Sequence, residues 1–297
     1  MKKIGITADS HSSITQEMAK DLGIRVLPMP YHIDGKTYYE DVSIKRDEFF
    51  QLQAEGAKIT TSQATPTELM DFWNEALKEY EQILYFPISR GLSGSANTAK
   101  LLSQEEEYQG RVFVVDNGRT STPMHVTILD TIELIEEGYE AEKIQEMLES
   151  TAEDVSIYIV LNTLEYLKAG GRISKAKATV GSALHIKPIL QLDTGVLHSW
   201  KNARSMKKAQ KIMFDQIHEE IEGRFHDAAE AGELYLMSAV STTKEEEAEW
   251  IAEIEKEFPD YQVIGDELSM GVCCHTGPGG RGIGLAVRTK FAYEHKA

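Results

Sequence analysis

The feature that most constrains the fold is the alternation of short apolar segments with helix signals in the first half of the chain. Residues 4–8, 82–88 and 111–116 are apolar runs of strand length, and each precedes a segment with helical periodicity. The strongest helix start is Thr65-Pro66-Thr67-Glu68, where a capping threonine, a proline at the first helical position and a glutamate form a capping box. Strands that alternate with helices are typical of a mostly parallel sheet, so the first half is predicted to be an α/β domain.

Turn and cap residues define further elements of the first half. Ser13 with Gln16 predicts another capping box, and Gly23 predicts the end of that helix. Residues 24–31 are predicted to form a strand, and Asp34-Gly35 predicts a hairpin turn.

The second half has strands that follow one another without intervening helices. Residues 188–200 predict two strands around the turn Asp193-Thr194-Gly195, and the residues from Gln262 onward predict two or three strands and no helix. Consecutive strands indicate a mixed or antiparallel sheet. We therefore predict two domains, residues 1–152 and 153–297, with the boundary near Thr151.

Composition limits the location and the partners. The 297 residues include 48 acidic and 31 basic side chains, and the net charge of −17 disfavours nucleic acid and anionic membrane surfaces as partners. The N-terminus lacks the apolar segment of a signal peptide, and no run of about eighteen apolar residues occurs, so secretion and stable membrane insertion are not expected. Cys273 and Cys274 are adjacent and cannot build a disulfide framework, which fits a reducing, cytoplasmic location; no metal site is predicted.

Two glycine-rich segments have alternative interpretations. Residues 277–282 match GxGxxG, but a predicted strand rather than a helix follows them, so a dinucleotide-binding motif is rejected and close backbone contact is favoured. Residues 170–177 form a basic, glycine-led segment without the spacing of a P-loop. A solvated helix start is the favoured interpretation of this segment taken alone, and a docking patch for an acidic partner is the alternative.

A near match to the nucleophile elbow GxSxG occurs at Gly91-Leu92-Ser93-Gly94-Ser95, between a predicted strand and a predicted helix, although the final glycine is missing. A catalytic Ser93 would need a base such as His275, oriented by Asp9 or Asp116. Alternatively, the serines cap the following helix, whose free N–H groups bind an anion. We favour anion binding.

Hydroxyl groups are predicted to gather at one edge of the first sheet. Ser10, the predicted loop at Thr60-Thr61-Ser62-Gln63 and the loop at Ser93 are each expected to follow an element on the same side of the sheet, at the carboxyl ends of strands. Ligands bind at this edge in such sheets. Hydroxyl and backbone N–H groups are donors, so this edge suits a carboxylate, which only accepts hydrogen bonds.

Six segments, which span nearly the whole chain in this order, resemble the motifs of the DegV family: Asp9-Ser10, Thr61-Ser62-Gln63 with Pro66, Leu92-Ser93-Gly94, Tyr166-Leu167-Lys168-Ala169-Gly170-Gly171-Arg172-Ile173-Ser174, Lys187-Pro188-Ile189 and His275-Thr276-Gly277-Pro278-Gly279. The resemblance implies a two-domain α/β fold of the DegV/dihydroxyacetone-kinase type, with a lipid-binding tunnel between the domains. It also implies that the chain is the fatty-acid-binding subunit of a bacterial fatty acid kinase, without catalysis or a cofactor of its own. A separate ATP-dependent kinase subunit would phosphorylate the bound carboxylate, and the acyl phosphate would feed phospholipid synthesis.

Residue by residue, the resemblance implies that Thr61 and Ser93 hydrogen-bond the carboxylate of a long-chain fatty acid, with His275 close to the head group. Ser62 and the Gly94 amide are implied to lie beside them. A buried carboxylate requires such donors, while an apolar channel would stabilise the tail by about 0.8 kcal/mol per methylene.

The resemblance further implies that Arg172 lies on the face that docks the kinase. The chain departs from the family pattern at two places. Ser95-Ala96-Asn97 stand where the family often has Thr-Tyr-Gln, and Arg281 stands where small or apolar residues are usual.

Two other functions remain as alternatives. The first is a serine hydrolase that acts on acyl esters or thioesters through Ser93 and His275. The second is a dihydroxyacetone-type sugar-binding subunit in which His275 forms a covalent adduct with a carbonyl, although a His275 that merely donates a hydrogen bond is favoured over the adduct.

Overall fold

The computed structural model describes residues 2–172, 186–193 and 195–296. The strands are β1 Lys2–Asp9, β2 Arg25–Leu27, β3 Pro30–Ile33, β4 Lys36–Tyr39, β5 Ile59–Thr61, β6 Tyr80–Phe86, β7 Val112–Val114, β8 Val155–Val160, β9 Lys187–Asp193, β10 Val196–Ala203, β11 Leu234–Ser241, β12 Val263–Glu267 and β13 Gly280–Val287. The α-helices are α1 Gln16–Leu22, α2 Arg46–Ala54, α3 Pro66–Ala76, α4 Ser95–Leu102, α5 Thr122–Glu136, α6 Ala141–Ser150, α7 Glu165–Ala169, α8 Met206–Glu222, α9 His226–Glu230, α10 Lys244–Glu257, α11 Met270–Thr276 and α12 Thr289–Glu294. Residues 173–177 of the basic segment, which include the end of one family motif, and Thr194 of the predicted turn lie outside the described residues.

The first half forms a parallel sheet, as its sequence pattern predicts. This N-terminal sheet has the strand order β2-β1-β6-β7, and each neighbouring pair runs parallel. Its alternation of strands with α1, α3, α4 and α5 is the predicted α/β arrangement.

The second half forms a mixed sheet of six strands, which is also as predicted. This C-terminal sheet has the order β10-β9-β8-β13-β11-β12, in which β11 and β12 are parallel and the other pairs are antiparallel. The predicted strand pair in residues 188–200 is confirmed as β9 and β10. The prediction of no helix after Gln262 is wrong, because α11 and α12 lie there. Helix α11 contains glycine, valine and two cysteines, which have poor helix propensity, so its tertiary contacts outweigh local preference.

The predicted strand at residues 24–31 is divided between two sheets. Strand β2 belongs to the N-terminal sheet, whereas β3 is the centre of a small antiparallel sheet with the order β4-β3-β5. Pro28 and Pro30 lie at the division, and proline interrupts a strand because it lacks the N–H donor. The predicted hairpin turn at Asp34-Gly35 connects β3 to β4, with positive φ at both residues (49° and 82°).

The helix starts show one confirmed prediction and one error. The capping box of Thr65 and Glu68 is present at α3. The capping box assigned to Ser13 and Gln16 is wrong, because Thr15 caps α1. Ser13 instead ends a short 3₁₀ turn with a positive φ, and its hydroxyl hydrogen-bonds that of Ser121, 108 residues away, so a distant contact determines its conformation.

The small sheet lies against the C-terminal sheet even though it comes from the first half of the sequence. Tyr31 and Phe49 are fully buried in one hydrophobic cluster with Leu161 and Leu190. The two large sheets lie on either side of Thr151 in sequence, and the division into residues 1–152 and 153–297 stays a prediction. In the described part of the chain, no helix has both the length and the hydrophobicity needed to cross a membrane.

Replacing the capping residue of α3 tests the local origin of this fold. The Thr65 side chain accepts a hydrogen bond from the Glu68 amide, and the Glu68 carboxylate accepts one from the Thr65 amide. We expect Thr65→Ala to lower the free energy of unfolding by about 1 kcal/mol. Urea denaturation measures this change. The matched control is Thr67→Ala, which alters an exposed threonine of the same turn and should change stability by less than about 0.5 kcal/mol; equal losses in both variants would contradict the cap.

Candidate functional site

A long cavity lies between the carboxyl edge of the N-terminal sheet and one face of the C-terminal sheet. Its empty volume is about 1090 Å³, including the solvent space at its mouth. The chain leaves β1 towards β2 and returns to β6 on the other side of β1, so the loops after β1 and β6 diverge at this edge. Such a point of reversed strand order is where open α/β sheets bind ligands.

Most of the cavity wall is hydrocarbon. Every second residue of neighbouring strands in the C-terminal sheet points towards it, as expected for the period of a strand. The apolar residues that line the cavity are Ile88, Leu92, Pro123, Ile157, Ile159, Leu161, Leu167, Leu190, Leu192, Leu197, Ala239, Leu268 and Val272.

The polar end of the cavity brings together Thr61 and His275, as the family resemblance implies. Their side chains are 3.0 Å apart, between Thr61 Oγ1 and His275 Nε2. Thr61 is the last residue of β5 in the small sheet, so the prediction that residues 60–63 form a loop is wrong for Thr60 and Thr61. They pair with β3, and this tertiary pairing overrides the turn preference of the hydroxyl residues. His275 lies near the end of α11, 214 residues further along the chain.

The imidazole of His275 is held closely by the backbone. A Cβ atom at Gly170 would be 2.0 Å from His275 Nδ1, so a glycine is required there. Nδ1 is buried and has no hydrogen-bond partner among the residues that the structure describes. Burial, with smaller contributions from the positive charges of Arg172 and His11, lowers the pKa of His275 to about 4. The side chain is therefore neutral near pH 7, with one nitrogen that donates and one that accepts.

Ser93 lines the same cavity at the start of α4. Its Oγ accepts a hydrogen bond from the Ser95 amide at 3.2 Å and is 2.9 Å from the Ser95 hydroxyl. Gly94 is the N-cap residue of α4, without a side-chain cap, and is not among the residues that line the cavity. The N-terminus of α4 nevertheless adjoins the polar end through Ser93, and a helix N-terminus favours negative charge.

Ser62 and Arg172 line the outer part of the cavity, and both are exposed. The Ser62 hydroxyl is 3.1 Å from His32 Nε2, and the Arg172 guanidinium donates a hydrogen bond to the Gly170 carbonyl at 2.7 Å. Arg172 thus places a cation at the mouth of the cavity, near the Thr61–His275 pair.

The described residues do not assemble the triad that a serine hydrolase would need. Ser93 bonds to Ser95, and His275 bonds to Thr61. The two proposed orienting acids are engaged elsewhere: Asp9 accepts from the amides of His11 and Ile88, and Asp116 pairs with Arg90 and Lys100. A histidine with a pKa of about 4 is also a weak base near neutral pH.

Sequence reasoning missed His11, Thr120 and Ser121, which also line the cavity. It selected Ser10 at the end of β1, but the Ser10 hydroxyl accepts a hydrogen bond from the Met29 amide and does not line the cavity. The residue that follows Ser10, His11, lines the cavity instead. The sequence feature that could have identified His11 is its position directly after the first strand of a predicted parallel sheet, where ligand sites lie.

The glycines of the rejected GxGxxG segment permit close contacts, as predicted. Side chains at Gly277 and Gly279 would lie 2.2 Å from the Tyr166 ring and 2.0 Å from the Asn162 amide. Within the described residues, no group of His, Cys, Asp or Glu side chains could hold a metal ion. Burial raises the pKa of the Cys273 thiol to about 11, so this thiol is protonated near pH 7.

Glu40 connects the small sheet to the helix that carries His275. It follows β4, is buried, and its carboxylate accepts hydrogen bonds from the amides of Met270 (2.6 Å) and Gly271 (3.0 Å) at the start of α11. Burial raises the pKa of Glu40 to about 7, although these two hydrogen bonds oppose the rise. This carboxyl group therefore fixes the direction in which α11 presents His275.

Comparison with known proteins is consistent with this architecture. Residues 3–288 match a family described as uncharacterised proteins of the DegV family. A DegV domain-containing protein of Caldanaerobacter subterraneus is 30% identical over 95% of this chain and 98% of its own length. A solved DegV family protein of Thermus thermophilus, described as binding fatty acid, is 32% identical, with a TM-score of 0.85 over 96% of this chain and 99% of its own. The solved DegV of Bacillus subtilis, described as a fatty acid binding protein, is 25% identical, with a TM-score of 0.82 over 97% and 100% of the two chains.

The raised pKa of Glu40 predicts a pH-dependent stability. Because the folded pKa of about 7 exceeds the ordinary value of 4.5, the protonated group stabilises the fold at low pH, and this contribution is lost as pH rises from 4.5 through about 7. Between about pH 5 and pH 8, the free energy of unfolding of wild type should fall by up to about 3 kcal/mol relative to that of Glu40→Gln. Urea denaturation across this range measures the difference, with Glu106→Gln as a control at an exposed carboxylate. If the free energies of unfolding of wild type and Glu40→Gln changed in parallel with pH, the raised pKa of Glu40 would be refuted.

Proposed function

The chain belongs to the DegV family, and we propose that it binds a long-chain fatty acid in the cavity between its two large sheets. The observation that carries the proposal is the division of this cavity into one polar end and a long apolar wall. The related protein of Thermus thermophilus, described as binding fatty acid, supports the same ligand class.

The polar end suits the carboxylate of the ligand. A carboxylate taken out of water must receive hydrogen bonds, since an unpaired buried charge is strongly unfavourable. The hydroxyls of Thr61 and Ser93 can donate to its oxygens. A neutral His275 that donates from Nε2 to Thr61 Oγ1 leaves the hydrogen of the Thr61 hydroxyl free for the carboxylate. Ser62 and Gly94 lie on the solvent side of Thr61, Ser93 and His275. Gly94 is at the N-terminus of α4, which favours negative charge.

The apolar wall suits the acyl tail. Each methylene that moves from water onto such a surface contributes about 0.8 kcal/mol. Sheet residues such as Ile159, Leu190 and Leu192 are held by the backbone hydrogen bonds of β8 and β9, so the wall is formed before the ligand arrives. A preformed cavity avoids the entropic cost of ordering its wall on binding.

We further propose that the protein carries its ligand without catalysing a reaction, and that a separate ATP-dependent kinase subunit phosphorylates the carboxylate. An oxygen of the carboxylate would attack the γ-phosphorus of ATP, ADP would leave, and the acyl phosphate would feed phospholipid synthesis. The exposure of Ser62 and Arg172 at the mouth supports this role, because a partner must reach the head group there. We also propose a cytoplasmic location, because the proposed partner consumes ATP.

Native mass spectrometry, followed by extraction and identification of bound small molecules, tests the carrier function. We expect a stoichiometric fatty acid, retained during purification or taken up when free acid is added. Thr61→Val should weaken the affinity at least about tenfold, because it removes a hydrogen bond to a charged group.

The matched control is Thr60→Val, which changes the exposed neighbour of Thr61 on the same strand and should leave affinity unchanged. A wild-type protein that neither retains nor takes up fatty acid would overturn the carrier function. Equal affinities of Thr61→Val and wild type would overturn the head-group assignment alone.

Arg172 is proposed to dock the kinase. Because this residue also lines the cavity mouth, charge reversal would disturb the carboxylate as well, so Arg172→Gln is the cleaner variant. At saturating fatty acid, we expect acyl phosphate formation by the partner kinase to fall at least tenfold, with the loss recovered in part at high kinase concentration. An unchanged rate at limiting kinase would make Arg172 an ordinary surface residue.

A further inference from the structure

The cavity contains a buried imidazole that the proposed function does not use. His11 follows β1, is 8% exposed, and lines the cavity. Its main-chain amide donates to Asp9 Oδ1 at 3.0 Å, and its Nδ1 lies 3.3 Å from the same oxygen. Asp9 is itself fixed, since its other oxygen accepts the Ile88 amide at 2.8 Å. The Nδ1 edge of the ring therefore lies against a buried carboxylate that is itself held in place.

The opposite edge of the ring faces the ligand space. A Cβ atom at Gly271 would be 2.7 Å from His11 Nε2. The ring can therefore take this position because residue 271 has no side chain. Gly271 also lines the cavity. Nε2 has no hydrogen-bond partner among the residues that the structure describes.

The surroundings of Nε2 offer it little compensation. The Thr120 hydroxyl donates to the His11 carbonyl, and the Ser121 hydroxyl is 2.8 Å from that of Ser13. The wall of the same cavity includes Leu268 and Ala239, whose side chains cannot accept a hydrogen bond. A hydrocarbon tail in this part of the cavity would leave the imidazole Nε2 without a partner, which is unfavourable for a buried polar atom.

Electrostatics favour the protonated form of the ring. Burial lowers the pKa of His11, but the charge and hydrogen bond of Asp9, together with the nearby Glu40, outweigh this and raise it overall. A protonated imidazole carries an N–H at both nitrogens. With Nδ1 at Asp9, Nε2 is the ring nitrogen left for a ligand, and it can pair with a hydroxyl group whether it donates or accepts.

We propose that His11 is a second polar anchor of the cavity, and that the preferred ligand is a fatty acid with a hydroxyl group on its chain. Gly271 and His275 are one turn apart in α11, an axial distance of about 6 Å. The hydroxyl therefore lies about this far from the carboxylate, on the part of the chain near the head group. This inference rests on the proposed function, because it names the subclass of fatty acid that the same cavity takes.

Competition binding against a fluorescent fatty acid tests the inference. The probes are hexadecanoic acid, its isomers with a hydroxyl on the third or the fifth carbon, and the isomer with a hydroxyl on the terminal carbon. We expect at least one of the two proximal isomers to bind about 3- to 10-fold more tightly than hexadecanoic acid, the effect of one net hydrogen bond. The terminal isomer should bind no more tightly than hexadecanoic acid.

Substitutions at His11 assign the preference to this residue. His11→Leu should abolish or reverse the preference for the hydroxylated acid, whereas His11→Gln, which keeps a donor, should retain part of it. The control is His125→Leu, because His125 forms a similar buried pair with Asp266 at 3.0 Å but does not line the cavity. That variant should lose stability and keep the preference.

The outcomes separate this inference from the function on which it rests. Binding of hexadecanoic acid as tightly as of both proximal isomers would overturn the second anchor and leave the carrier function intact. A preference that persists in His11→Leu would do the same. Failure of all the acids to bind wild type would overturn the carrier function itself. If His11→Leu does not fold, the comparison of isomers on wild type and on His11→Gln still decides the matter.

Discussion

The arrangement of the whole site depends on Asp9, a fully buried carboxylate at the end of β1. It accepts hydrogen bonds from the His11 amide, in the loop after β1, and from the Ile88 amide, in the loop after β6. These two loops diverge because the strand order reverses between β1 and β6, and the cavity opens where they part. A buried charge is tolerated when several donors surround it, and here the donors are backbone groups that the parallel sheet presents at its carboxyl edge.

The polar end of the cavity is assembled from three parts of the chain that are far apart in sequence. Thr61 comes from the small sheet, Ser93 from the start of α4, and His275 from α11. The small sheet shares a hydrophobic cluster with the C-terminal sheet, and Glu40 ties it to the start of α11. Because these contacts are packed and hydrogen-bonded, the donors hold their geometry without a ligand. In the proposed complex this rigidity favours a carboxylate, which needs several donors at once.

The chemistry of the cavity explains why a carrier fits better than a hydrolase. Desolvation by burial keeps His275 neutral, and its partner is the Thr61 hydroxyl rather than a serine nucleophile. The cation that lines the mouth, Arg172, is exposed and therefore available to a partner. The interior instead holds His11, a polar ring beside the Asp9 carboxylate within a largely apolar wall, and that carboxylate contributes to the raised pKa of the ring. In the proposed complex, head group, acyl chain and partner surface would occupy successive parts of one cavity.

The sequence by itself determined the features that depend on neighbouring residues. The capping box at Thr65, the helix end at Gly23 and the hairpin turn at Asp34-Gly35 are encoded within a few positions, and the structure confirms them. The parallel and mixed sheets also followed from the order of apolar segments, because a strand that precedes a helix commonly pairs in parallel with the next strand.

Only the tertiary structure decided where Ser13, His11 and α11 lie. Ser13 bonds to Ser121, Nε2 of His11 faces Gly271, and α11 forms against Glu40 in spite of weak helix propensity. The motif resemblance named Thr61 and His275 as neighbours, but it could not give the 3.0 Å contact or the neutral state of the ring. These properties depend on desolvation and on packing between residues more than a hundred positions apart, and no local pattern in a sequence records them.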